Sequence, residues 1–130
     1  QQAVDDVRDA VAAVRSDLPG DLRELVILRV AVLNRAPYEF DAHVPFALKE
    51  GLAAHKVEAV KAADISADFT EVEQLVLQLT DTMTRDIEVP DALFARIHEH
   101  FQGQALLDLC ITVGAYNMVS RVLVALHIGH

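Results

Sequence analysis

Apolar positions recur along the chain at spacings of three and four, the period of a helix with one buried face. Val4, Val7, Val11 and Val14 keep this period over residues 2–17. Leu18-Pro19-Gly20-Asp21 interrupts it, and Asp21 is the expected N-cap of the next helix. Residues 21–34 are apolar on almost every side, which predicts a central helix. Asn34-Arg35-Ala36-Pro37 reads as a turn. Pro37 suits the first turn of a helix over 37–50, which Gly51 stops. Pro45 lies inside that pattern, placed to kink it just after His43. A short helix over 55–63 follows. Thr70 and Glu73 form a Thr-x-x-Glu capping signature that opens a helix over 71–85, with Leu75, Leu79 and Met83 on its inner face. Ile87 to Pro90 is an extended connector, Asp91 starts a helix to about Phe101, and Gln102-Gly103-Gln104 turns into a last helix over 104–126. No segment has the alternation of a strand. The pattern predicts one all-α domain over 1–130, a bundle of six or seven helices.

Composition sharpens this picture. Apolar residues make up 52% of the chain and aromatic residues only 5%, so the excess is a helix-forming palette of Ala, Val and Leu. A net charge of −9 argues against nucleic acid or an anionic membrane surface as partner. The mean hydropathy of +0.25 is high for a small monomer and points to self-association. The run from Ala105 to Ile128 has the length of a bilayer span, but Asp108, Thr112, Asn117, Ser120 and Arg121 interrupt it. A helix buried among neighbours or between subunits is the expectation, with no membrane partner. The single cysteine, Cys110, excludes an intrachain disulfide or a Cys-x-x-Cys pair and reads as a packed apolar residue. A polar, acidic N-terminus without a signal-peptide pattern and one cysteine fit a cytoplasmic location.

The candidate chemistry lies in the second predicted hairpin. Glu24 precedes the turn by about ten residues and His43 follows it by about seven. In an antiparallel pair they differ in height by about 4.5 Å, within reach of a Glu side chain. Glu39 and His43 are i,i+4 neighbours on one face. Glu24, Glu39 and His43 are therefore expected to converge, either as an acid–base site or as a structural polar cluster. A carboxylate beside an imidazole raises the imidazole pKa, the tuning that proton transfer near neutral pH uses. No metal is assigned, because neither a His-x-x-x-His nor a Glu-x-x-His spacing occurs. His98 and His100 are expected at the surface. In the last helix Tyr116, Asn117 and Ser120 share a face, and Arg121 calls for an anionic partner: a substrate, the Glu24 cluster or a structural carboxylate.

Arg23-Glu24-Leu25-Val26-Ile27-Leu28, Tyr38-Glu39-Phe40-Asp41-Ala42-His43-Val44 and Ala47 to Gly51 resemble the core of the carboxymuconolactone decarboxylase family, within the AhpD-like superfamily. Thr80 to Asp86 and Tyr116 to Arg121 resemble later blocks of its shorter members, and the resemblance spans about residues 15–127. It implies an AhpD-like helical bundle and a homo-oligomer, a trimer or hexamer. Redox members carry two cysteines between the family Glu and His, and these positions fall on Ala36 and Glu39 here. A peroxidase reading therefore lacks its thiols and would need Cys110. Decarboxylase members also lack the cysteines, and share Glu39, Phe40, His43 and Val44. That likeness implies a cofactor-independent decarboxylase acting on a small carboxylated or lactone substrate. His43 would transfer the proton, Glu24 and Glu39 would tune it, and Tyr38, Tyr116, Asn117 and Arg121 would be substrate contacts, with Arg35 as a further anion contact. A non-catalytic oligomeric binding protein is the alternative.

Overall fold

The computed structural model describes residue 2, residues 5–6 and residues 17–128. The helix expected over 2–17 falls for the most part outside these. The described chain is all-α: α1 (Gly20–Leu33), α2 (Pro37–Lys49), α3 (Ala54–Ala59), α4 (Glu71–Arg85), α5 (Asp91–His98) and α6 (Gln104–Ala125).

Helix α1 is the hub, packing against α2, α4 and α6. Its eight residues from Glu24 to Ala31 are all buried, the behaviour of a helix that is apolar all round. Two cores meet across it. Leu25 and Leu28 face Phe40, Ala47, Val60 and Leu77, while Val26 and Val30 face Leu75, Leu79, Leu109 and Val113. Burying each such side chain contributes about 1.5–3 kcal/mol, so α1 anchors both cores.

Local chemistry sets the helix ends. Thr70 accepts from the Glu73 N–H and Glu73 accepts from the Thr70 N–H, completing the capping box that opens α4. Lys56 adds a 2.7 Å ion pair to the same Glu73 and ties α3 to that end of α4. Gly51 stops α2 with φ +98°, a left-handed turn open to a residue without Cβ. Pro45 removes one backbone donor, yet α2 runs unbroken to Lys49. Helix α1 departs from the expected start. It begins at Gly20, the Pro19 carbonyl accepts the Arg23 N–H, and Asp21 makes no side-chain cap. Helix α5 ends at His98 rather than near Phe101, whose ring turns back into the core. Helix α6 is the one described helix long and apolar enough to cross a bilayer. Its Leu109, Val113, Val119 and Leu123 are buried in the bundle, and Asp108 accepts hydrogen bonds from the Asp17 N–H and the Gln104 amide.

Candidate functional site

The turn between α1 and α2 builds the site. Arg35 takes φ +53°, and the N–H of Ala36 returns to the Ala31 carbonyl, so the chain reverses within three residues. The two helices then run back along each other, bringing Glu24 level with His43. Nδ1 of His43 lies 2.9 Å from a Glu24 oxygen, and Nε2 lies 3.0 Å from Glu39, one helical turn away. The second Glu24 oxygen accepts from Nε of Arg23 at 3.2 Å, and Arg23 reaches on to Glu50 at 3.3 Å. The Cβ of any larger residue at Gly20 would collide with the Glu50 carboxylate, so this glycine makes room for the outer end of the chain of charges.

Burial alone would lower the His43 pKa. Hydrogen bonds and charges from Glu24 and Glu39 outweigh it and raise the value to about 9. Near neutral pH the ring is therefore an imidazolium, with an N–H donated to each carboxylate. Arg23 and the His43 imidazolium thus balance Glu24 and Glu39, and Glu50 on the far side of Arg23 adds one further negative charge. The carboxylates are nearly sealed, with Glu24 at 4% and Glu39 at 9% side-chain exposure, whereas His43 keeps 20%. The imidazole is thus the part of the cluster that solvent meets. Its ring packs edge-on to Tyr116, with centroids 5.9 Å apart, and tilts against Phe46 at 5.6 Å. Burial, followed by the Glu24 and Glu39 charges, pushes the Tyr116 phenol up, keeping it a protonated hydrogen-bond donor.

The other expected site residues divide. Tyr38 and Tyr116 both pack on the small cluster of Val119 and Leu123. Asn117 does not present a free amide. It donates to the Thr84 hydroxyl and the Val113 carbonyl, each at 2.9 Å, and its oxygen accepts from Asn34. With Ser120, which also accepts from Asn34 at 2.7 Å, it locks the end of α1 onto α6. Arg121 does not join the Glu24 cluster. It is exposed, borders a cavity near the α1–α2 turn, and makes no ion pair among the described residues. Cys110 is half-buried in the second core, and burial pushes its thiol up, away from the reactive thiolate. His98 and His100 are exposed.

Sequence reasoning missed Arg23 and Glu50 as partners, because neither lies at an i,i+4 spacing from the other or from Glu24. It could have found Phe46, three residues after His43 on the same face. Among the described residues no His, Cys, Asp or Glu group has the arrangement to hold a metal ion. In the Glu24–His43–Glu39 cluster the carboxylates approach opposite nitrogens of one ring, so the three side chains do not converge on a common point.

Known proteins share this architecture. A protein of unknown function from Agrobacterium tumefaciens, named as a candidate AhpD antioxidant-defence protein, superposes with a TM-score of 0.84 at 25% identity over 99% of this chain and 88% of its own. An uncharacterized peroxidase-related protein from Silicibacter sp. TM1040 superposes with a TM-score of 0.78 at 21% identity over 95% of this chain and 66% of its own. The fold is AhpD-like. The uncharacterized protein YdfG of Bacillus subtilis is 25% identical over 114 residues, 86% of this chain and 78% of its own. The carboxymuconolactone decarboxylase family model matches residues 1–82, a segment that includes Glu24, Glu39 and His43. The chain belongs to the carboxymuconolactone decarboxylase family.

Proposed function

We propose that the chain is a cofactor-independent lyase that decarboxylates a small carboxylated or lactone-type substrate, with His43 as proton donor. One observation carries this reading: a partly exposed imidazolium is held between two buried carboxylates. A group whose pKa lies near 9 is an acid at neutral pH, and loss of carbon dioxide requires an acid. The carbon–carboxylate bond breaks, the electron pair enters the conjugated lactone, and an imidazolium N–H delivers the proton to carbon. Glu24 stays on Nδ1 because Arg23 grips its other oxygen, so Nε2 is the nitrogen that exchanges Glu39 for substrate. Solvent returns the proton through the exposed edge of the ring. Tyr116 of α6, whose ring packs against His43, and Tyr38 of α2 are the proposed substrate contacts.

A second reading has its own support. Both His43 nitrogens already have partners, which suits a structural cluster in a non-catalytic binding protein. The two part in one assay. Loss of 4-carboxymuconolactone is followed by ultraviolet absorbance for the wild type and for His43→Ala. The lyase reading expects turnover that falls by about a hundredfold or more in the variant. Equal turnover by both proteins would remove His43 from the chemistry. We further propose that the chain self-associates, as a trimer or hexamer, and acts in the cytoplasm; exposed Phe46, Leu48, Leu107 and Met118 support the self-association alone. Light scattering on the purified chain tests the assembly, and a monomer would sink it.

A further inference from the structure

A second polar feature lies at the far end of the α1–α2 hairpin. Leu33, Asn34, Arg35, Arg121, Val124 and Ala125 line a cavity of about 330 Å³. Ten residues of α1, about 15 Å of helix, separate Asn34 from the level of Glu24. The chain carries 20 acidic residues against 11 Lys and Arg. Even so, this cavity is lined by two guanidinium side chains and no carboxylate. Among the described residues Arg23, Arg29, Lys56, Lys61 and Arg85 form ion pairs, whereas Arg35, Lys49, Arg96 and Arg121 do not, and of these four Arg35 and Arg121 line the same cavity. On its other side Arg35 borders a cavity that contains Asp41 and Lys61, again without an ion pair.

Arginines near helix C-termini are favoured by the helix dipole, which accounts for a cation near the end of α1 and another in the last turns of α6. It does not account for the backbone at Arg35. That residue sits at φ +53°, a left-handed conformation that favours glycine. The wall beside it is rigid, because the Asn34 amide is bonded to both Asn117 and Ser120. Two like charges therefore face one cleft from a fixed corner, and one of them occupies a conformation that glycine would adopt at lower cost.

We propose that Arg35 and Arg121 form a binding site for a small, doubly charged oxyanion, separate from the His43 cluster. Guanidinium forks suit carboxylate and phosphate oxygens, and a dianion would relieve the repulsion between the two cations. Leu33, Val124 and Ala125 supply apolar contact for a short carbon body.

Isothermal titration of the full chain at about pH 8 with inorganic phosphate, and separately with succinate, tests the site. Saturable binding of either probe is expected, and the better of the two identifies phosphate or dicarboxylate as the preferred class. Arg35→Gly and Arg121→Gln should each weaken it by about tenfold or more. Arg35→Gly should also melt no lower than the wild type, because glycine suits the turn; this separates lost binding from lost folding. His43→Ala should bind as the wild type does. Absence of saturable binding of both probes up to about 10 mM would overturn the proposal. So would wild-type affinity in either arginine variant, or loss of binding in His43→Ala alone.

Discussion

Helix α1 carries two buried charged clusters five residues apart, and they are built on opposite principles. At Arg29 the guanidinium is 1% exposed and fully engaged. It grips Asp81 with two 2.7 Å bonds and donates to the carbonyls of Val60, Ala62 and Ala63. Its charge is permanent, and each donor meets an acceptor on α4 or in the segment after α3. At Glu24 the charged partner is His43, whose charge depends on pH and whose ring reaches solvent. The first cluster fastens three pieces of chain and offers nothing to a ligand. The second holds a member that can lose or gain a proton. Burial of charge alone does not mark a functional site. A titratable member with a solvent-facing edge is what the proposed proton transfer needs in addition.

The comparison predicts where the molecule breaks. Arg29→Met should give the largest effect, a loss of about 3–5 kcal/mol in urea denaturation, because Asp81 and three carbonyls lose their donor together. A loss below about 1 kcal/mol would show that water replaces the clamp. The His43 cluster should matter less and only in one pH range. The folded-state pKa of about 9 lies above the ordinary 6.5, so this contribution is complete below about pH 6.5 and disappears as pH rises through 9. Its size is at most about 3 kcal/mol. Denaturation followed from pH 6 to 10 should show the decline in the wild type and a flatter profile in His43→Gln. Parallel profiles would mean that His43 is not held as an imidazolium.

Two smaller changes sharpen the contrast. Asn34→Ala removes two hydrogen bonds to α6 and should cost about 1–2 kcal/mol while leaving the His43 titration, read by NMR, unchanged. Arg23→Ala removes a partly exposed cation and should change stability by less than about 1 kcal/mol. It should nevertheless raise the His43 pKa, since Glu24 then acts on the imidazolium without a competing positive charge. A lowered pKa would contradict the electrostatic account.

The helices and the convergence at His43 were legible in the sequence because both rest on short-range rules. A period near 3.6 places Glu39 under His43. A tight turn at Asn34 to Ala36 then brings Glu24 level, with little freedom to do otherwise. The Thr70–Glu73 box is equally local. Asp21 looked like a cap but was not one, since Pro19 already begins the turn and its carbonyl takes the first helical bond.

Partners distant in the chain were a different matter. Asn117 and Arg121 lie in an apolar helix, and the family resemblance implied substrate contacts for both. The bundle sends Asn117 into a saturated lock with Asn34, 83 residues earlier, and leaves Arg121 beside Arg35. Arg29 gave no hint of Asp81, 52 residues later. Periodicity determines which residues share a face of one helix. The rotation and height at which two helices pack determine which faces meet, and only the assembled bundle decides those.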